Sequence, residues 1–337
     1  MSVTRVAVVG AGSWGTALSA LLAKKGHDVT LWSFEAPVVE QINQDHENER
    51  YLPGVALPMG LRASGDLKEA VGTADFVLSV CPCQFVHSVM SGAAASIPDS
   101  AIVISASKGI ELATLRRMDE VLGELLTSAQ MEGFTVLSGP SFAKEVALEA
   151  PTAVVAASRL PQAAKRVQEL FQTPYFRVYT NPDVIGVELG GALKNVIAVA
   201  AGAGAGLGLG HNTLAALVTR GLAEIKRLGL AMGAQPDTFS GLAGMGDLVL
   251  TCTGELSRNR TVGFRLGRGE ELESILGDMT AVAEGVKTAE SLRDLAALYG
   301  VEMPISEEVY GMLVLGRKPE KALANLMERD PKPEEWS

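Results

Sequence analysis

The sequence predicts an α/β protein: a doubly wound, mostly parallel sheet followed by an all-helical C-terminal domain. Three observations carry this. Short continuous apolar runs alternate with helical stretches through the first half, as strands buried on both faces do. Gly10-x-Gly12-x-x-Gly15 follows the first such run, Val6 to Val9. From about residue 185 strand signals stop, and stretches rich in Ala, Leu and Gly take over.

In chain order, strands are expected at 6–9, 29–32, 76–80, 101–105, 135–137 and 153–156, each short, apolar and bounded by turn residues. Helices are expected between them at 15–25, 36–44, 84–95, 112–126 and 162–171. Ligands of such a sheet bind past the carboxyl ends of its strands, which puts 10–15, 33–35, 80–85, 107–109 and 138–141 around one crevice. The later helices are expected at 187–201, 212–228, 260–267, 270–276, 287–298 and 307–315. Residues 1–186 are thus expected to form one domain and 187–330 a second, with 331–337 a charged, proline-containing tail.

Composition narrows the partners. The 337 residues are 47% hydrophobic and 20% charged, which suits two domains with large cores. A net charge of −10 argues against nucleic acid or an anionic membrane, so an anionic substrate needs a local basic pocket. Three cysteines and four scattered histidines give neither a disulfide framework nor a zinc spacing, and no metal is expected. Residues 195–219 lack formal charge and invite a membrane reading. Gly202, Gly204, Gly206, Gly208 and Gly210 interrupt them, each costing a helix about 1 kcal/mol. A buried helix ending in a glycine-rich loop is the better expectation, and with no signal peptide the protein is expected to be cytoplasmic.

The glycine signature has a physical reading. Gly10 permits the tight turn after the strand, Gly12 lets backbone approach a pyrophosphate, and Gly15 allows close helix–strand packing. The helix N-terminus then offers N–H groups to phosphate. The first half is therefore expected to be a Rossmann-type dinucleotide domain. Residues about 20 further on choose between the two nicotinamide cofactors. They are Trp32-Ser33-Phe34-Glu35, without Arg or Lys. Glu35 would repel a 2′-phosphate or accept a ribose hydroxyl, which favours NAD over NADP; alternatively Phe34 packs on adenine and Glu35 is merely solvated.

Lys194 is the only formal charge between Glu188 and Arg220. An ammonium in so apolar a stretch is neutralised, hydrogen-bonded or used, and desolvation lowers its pKa toward the range of proton exchange. Snorkelling or a core ion pair would also explain it. Three further clusters stand out: Ser107-Lys108-Gly109 at a strand end, Gly244-Met245-Gly246-Asp247-Leu248, and Ser257-Arg258-Asn259-Arg260. Between 251 and 269 four arginines, Arg258, Arg260, Arg265 and Arg268, face one acid, Glu255. That excess suits a phosphate or carboxylate, although a solvated helix start with Ser257 as N-cap fits it too.

Together these segments, with Gly10 to Ala17, Tyr51-Leu52-Pro53-Gly54, Ser138 to Ala143, Gly190 to Val196 and Glu302 to Ile305, resemble the soluble, bacterial-type NAD(P)-dependent glycerol-3-phosphate dehydrogenases over nearly the whole chain. The resemblance implies reversible reduction of dihydroxyacetone phosphate to sn-glycerol 3-phosphate for phospholipid synthesis, a helical domain like the C-terminal one of 6-phosphogluconate dehydrogenase, and a homodimer. It implies Lys194 as proton donor, Lys108 as a second cation at the ketone oxygen, and Asp247 as the residue orienting the lysine. It assigns substrate contacts to Lys108, Gly139, Ser141, Lys194, Asp247, Ser257, Arg258 and Asn259. Cofactor contacts are implied for Gly10, Gly12, Ser13, Trp14, Gly15, Phe34, Phe85, Lys108, Ala143, Arg258, Val282 and Glu284. Many bacterial members carry a basic residue where Phe34 stands; here 32–35 and His46-Glu47-Asn48 look more like the NAD-dependent enzymes of animals. Two rivals remain: a β-hydroxyacid dehydrogenase of the 6-phosphogluconate type, and a nicotinamide-sensing binding protein, which needs the glycines but not Lys194, Lys108 and Asp247.

Overall fold

The apolar runs of the first half form a sheet, because continuous Val, Ile and Ala can be covered on both faces by helices. The computed structural model describes residues 3–279 and 283–334. Its strands are β1 (Arg5–Val9), β2 (Asp28–Trp32), β3 (Arg62–Ser64), β4 (Phe76–Ser79), β5 (Ile102–Ser105), β6 (Thr135–Ser138), β7 (Thr152–Ala157) and β8 (Phe176–Asn181). They lie in the order β3-β2-β1-β4-β5-β6-β7-β8. Neighbours are parallel except β6 and β7. Val8 of β1 is in register with Leu31 on one side and Leu78 on the other. The sheet grows from β1 toward β3 one way and toward β8 the other, so β1 and β4 flank the topological switch point where such folds bind ligands.

The helices of this half are α1 (Ser13–Lys24), α2 (Ala36–Gln44), α3 (Leu67–Val71), α4 (Cys83–Ala93), α5 (Met118–Gly123), α6 (Ser128–Glu132), α7 (Ala143–Ala147) and α8 (Pro161–Phe171). The β6–β7 connection holds only the five-residue α7. It carries no full crossover helix of the kind that usually joins parallel strands, and β7 returns antiparallel to β6.

The remaining helices are α9 (Val184–Gly206), α10 (His211–Ala231), α11 (Asp247–Thr253), α12 (Arg258–Gly267), α13 (Leu272–Gly277), α14 (Glu284–Tyr299), α15 (Pro304–Val314) and α16 (Pro319–Met327). Two units result: Met1–Lys108 with Arg117–Val184, and Gly109–Arg116 with Ile185–Ser337. Each has its own apolar core, one around Val8, Leu18 and Leu31, the other around Leu193, Val196 and Ile225.

Two expected elements differ. The helix over 112–126 is only α5; residues 109–116 leave the helical path, with Leu115 at φ 58 and Glu111 N–H bonded to Arg116 O at 3.0 Å. Ile110 is wholly buried in the core of the second unit, and that burial overrides the local helical pattern. Residues 202–206 of the glycine-rich loop expected after residue 201 are instead the last stretch of α9, and only 207–210 form the loop before α10. A Cβ on Gly202 would stand 2.0 Å from Arg260 O, and one on Gly263 would stand 2.0 Å from Val199 O. α9 and α12 therefore cross backbone to backbone, and the contact that only glycine allows outweighs its poor helix propensity. α9 is long and apolar enough to cross a membrane by length and composition, but 94% of its apolar window is buried inside the protein.

Glu224 of α10 is buried, and its carboxylate accepts hydrogen bonds from the Ile305 N–H at 2.6 Å, the Ser306 N–H at 3.1 Å and the Ser306 hydroxyl at 2.9 Å. It holds the first turn of α15. Burial pushes the carboxyl up to about 7, against the pull of these donors and of Arg227. The folded chain thus keeps a proton that the unfolded chain, at the ordinary 4.5, releases. With fewer protons bound in the unfolded state, the stability linked to Glu224 is full below that lower value and declines as pH rises through about 7, by on the order of 3 kcal/mol. Glu224→Gln should flatten this slope in urea-unfolding free energies measured against pH; a slope identical to that of the parent would refute the assignment.

Candidate active site

The glycine turn joins β1 to α1. Gly10 has φ +121, and a Cβ there would press on the Val80 carbonyl at 3.1 Å. A Cβ on Gly15 would stand 1.9 Å from Gly10 O, so helix and strand approach as closely as backbone permits. A Cβ on Gly12 meets nothing within 4 Å. That open space lies beside the N-terminus of α1, where no side chain caps the first turn. Uncapped N–H groups facing an open backbone shelf suit a pyrophosphate, so these residues fit a dinucleotide.

The segment 48–54 is fastened to this turn. Asn48 is fully buried; its amide donates to Ala11 O at 2.9 Å and to Thr16 Oγ1 at 2.8 Å, and its Oδ1 accepts from the Tyr51 N–H at 3.2 Å. The Ser13 hydroxyl donates to Tyr51 O. Just past β2, Phe34 is 88% exposed. Glu35 next to it accepts from the Tyr51 hydroxyl at 2.9 Å and pairs with Arg50 at 3.1 Å. Past β4, Phe85 is exposed as well. Trp14 in α1 is half-buried against the core. The Cys81 thiol is buried, bonded to Val9 O at 3.3 Å, and pushed up to about 12 by desolvation. This is a packing cysteine, not a reactive one.

Past β5 and β6, Lys108, Gly139 and Ser141 come together. The Lys108 ammonium donates to Gly139 O at 3.4 Å, and the Ser141 hydroxyl donates to the same oxygen at 3.0 Å. Gly139 has φ +136, and a Cβ there would stand 3.0 Å from Val154 Cα. Ala143 opens α7.

In the helical unit, Lys194 on α9 is 6% exposed and Asp247 1%. The Lys194 ammonium donates to the Asp247 carboxylate. Two local devices set this up. Leu242–Gly246 is a π-helical turn, with the Gly246 N–H reaching Gly241 O at 3.1 Å. Such turns often mark functional sites, and this one delivers Asp247 as the first residue of α11. The turn also packs against α9 where a Cβ on Gly190 would stand 2.4 Å from Ala243 O. Gly190 is four residues before Lys194, one helical turn along the same face. Among the expected phosphate residues, Ser257 caps α12 by accepting from the Arg260 N–H at 3.3 Å. Arg258 is exposed. Asn259 Oδ1 accepts from the Gly285 N–H at 2.9 Å, which ties α12 to the start of α14 beside Glu284. Val282 lies outside the described residues.

Comparison with known proteins decides the family. Residues 5–164 match the NAD-dependent glycerol-3-phosphate dehydrogenase N-terminus, and residues 183–324 match the NAD-dependent glycerol-3-phosphate dehydrogenase C-terminus. The chain belongs to this family. It is 58% identical over 332 residues to a glycerol-3-phosphate dehydrogenase [NAD(P)+] of Geobacter sulfurreducens, covering 98% of this chain and 99% of that one. It is 51% identical over 330 residues to the enzyme of that name from Leptospira biflexa, covering 98% and 99%. The crystal structure of glycerol-3-phosphate dehydrogenase from Coxiella burnetii superposes with a TM-score of 0.92 at 39% identity, over 97% of this chain and 99% of that one. A ketopantoate reductase from Ralstonia eutropha, at 17% identity and TM-score 0.60, shares the fold alone.

As a member of the glycerol-3-phosphate dehydrogenase family, the chain is an NAD(P)-dependent oxidoreductase with a Rossmann-like sheet and a helical C-terminal unit. The 6-phosphogluconate-type alternative is not favoured. Sequence reasoning missed Arg50, and it named Asn48 only within His46-Glu47-Asn48 without assigning it a role. Tyr51-Leu52-Pro53-Gly54 had marked their neighbourhood, but only the fold brings Arg50 to Glu35.

Proposed function

We propose that this family member interconverts dihydroxyacetone phosphate and sn-glycerol 3-phosphate, feeding the latter to phospholipid synthesis. The first unit would bind the dinucleotide and the helical unit the phosphorylated substrate. When bound, the reduced nicotinamide supplies a hydride to the carbonyl carbon. The negative charge then grows on the carbonyl oxygen, and Lys194 gives that oxygen its proton; in the oxidative direction the amine takes the hydroxyl proton back. The sum is ketone, reduced cofactor and one proton on one side, alcohol and oxidised cofactor on the other.

Asp247 holds the ammonium in place by accepting its hydrogen bond, so that the proton is offered from a buried position. Lys108 is assigned to the same oxygen as a second positive charge. The substrate phosphate is assigned to Arg258 and the Asn259 amide at the start of α12, with Ser257 beside them, and Gly139 and Ser141 to the substrate's carbon chain. Gly10, Gly12, Ser13, Trp14 and Gly15 are assigned to the cofactor, with Phe34, Phe85, Ala143 and Glu284. NAD is the proposed preference over NADP, because Glu35 opposes added negative charge.

The observation that carries this proposal is the buried Lys194–Asp247 pair. The test is NADH oxidation with dihydroxyacetone phosphate against unphosphorylated dihydroxyacetone. The phosphorylated ketone should be favoured at least about 100-fold in kcat/KM, since binding energy from the remote phosphate is expressed at the reacting centre. No oxidation with either ketone would sink the proposal.

A further inference from the structure

Glu35 occupies the position at the end of β2 that meets the adenosine ribose in this fold, and it is not alone there. Its side chain, 27% exposed, makes no capping hydrogen bond to α2 although Glu35 is the N-cap residue. It turns instead to Arg50 at 3.1 Å and to the Tyr51 hydroxyl at 2.9 Å. The Arg50 side chain is 59% exposed and stacks over the Tyr51 ring at 5.3 Å. Glu35 meets the guanidinium through one nitrogen, Nη1, and the group carries five donors in a planar fork. The loop that bears Arg50 is pinned by buried Asn48 to the glycine turn. The cation is therefore placed by the cofactor turn itself, not by a wandering surface chain.

We propose that Arg50 and Glu35 together form a switchable ribose reader, in which Glu35 takes the hydroxyls of NAD(H) and Arg50, released from Glu35, takes the 2′-phosphate of NADP(H). This rests on the proposed nicotinamide-dependent activity and adds a basic residue to a stretch, 32–35, that has none of its own. The chemistry favours such an exchange. An exposed ion pair is weak and easily opened, whereas a guanidinium binds phosphate through two parallel hydrogen bonds. A phosphorylated ribose repels Glu35 and replaces it as the partner of Arg50. An unphosphorylated ribose leaves the pair closed and meets the free lone pairs of the carboxylate. The enzyme then accepts both cofactors, with Glu35 biasing it toward the uncharged ribose.

The test is the NADPH-to-NADH ratio of kcat/KM in the full-length enzyme with dihydroxyacetone phosphate, for the parent, Arg50→Gln, Arg50→Lys and Glu35→Gln. The ratio should fall by about ten-fold or more in Arg50→Gln and rise by about ten-fold in Glu35→Gln, the scale of one charge-assisted contact. Arg50→Lys, which keeps the charge but not the fork, should lie between parent and Arg50→Gln. An unchanged ratio in Arg50→Gln overturns the proposal. So does a parallel rise in KM for both cofactors, which is the mark of a residue that only braces the loop. If the parent oxidises neither cofactor, the function proposal fails and the pair is judged by calorimetric titration of NADPH and NADH into the same four proteins, where the same change in affinity ratio is expected and its absence is decisive.

Discussion

Replacing Lys194 by methionine should lower kcat for dihydroxyacetone phosphate reduction by about 1,000-fold, the usual worth of a positioned general acid, while NADH still binds. Methionine keeps much of the volume in a helix that is buried on nearly all sides. It also leaves the Asp247 carboxylate buried without its ammonium. A buried charge stripped of its partner costs about 3–5 kcal/mol, so lost activity could reflect lost structure. The double variant Lys194→Met with Asp247→Asn removes both charges and isolates the chemistry. It should recover thermal stability and remain inactive. If it regained more than a tenth of the parent rate, proton transfer would not be the work of Lys194.

Gly202→Ala should destabilise the helical unit by about 3 kcal/mol or more, whereas Gly204→Ala, two residues on, should be neutral or stabilising. The new methyl at 202 would stand 2.0 Å from Arg260 O and 2.8 Å from Phe264 N. Both are backbone atoms, so relief requires separating two helices, and overpacking of this kind typically costs about 1–3 kcal/mol, occasionally more. The methyl at 204 would meet only side chains, the nearest being Leu217 at 3.6 Å. It points toward an apolar cavity of about 50 Å³ lined by Ala200, Leu217 and Met312 among others, and alanine is the better helix former by about 1 kcal/mol. Urea unfolding of the two variants side by side is the check. Equal effects would show that helix propensity, not the backbone crossing, governs this stretch.

The same crossing explains what the sequence concealed. Propensity alone ends α9 near residue 201, because no local rule announces that a second helix will lie against bare backbone. β1, β4 and β5 were legible from the unbroken apolar runs 6–9, 76–78 and 102–104, and β2 from Val29, Leu31 and Trp32 around a single Thr30. β8, Phe176–Asn181, alternates buried Phe176 and Val178 with exposed Arg177 and Tyr179, the pattern of a strand with one open face, which a search for continuous apolar runs passes over. The helix expected over 112–126 fails for a different reason: Ile110 and Leu115 serve the core of the helical unit, a demand that neighbouring residues do not reveal. At the candidate site, Lys194 and Asp247 stood out as charges in apolar or glycine-rich surroundings, and the structure pairs them. Arg50 did not stand out, since an arginine in a polar stretch is unremarkable until β2 and the loop 48–54 are folded together.

Because α9 and α12 meet through glycines, they lack the compliant side-chain layer that lets helices shear past each other by small steps. Displacement would have to come as a whole-turn jump of about 5.4 Å or not at all. Lys194 rides on one of these helices, and Arg258 and Asn259 begin the other. If the substrate spans the amine and the start of α12 as proposed, that span is a rigid gauge: the molecule is measured against it, not accommodated by it.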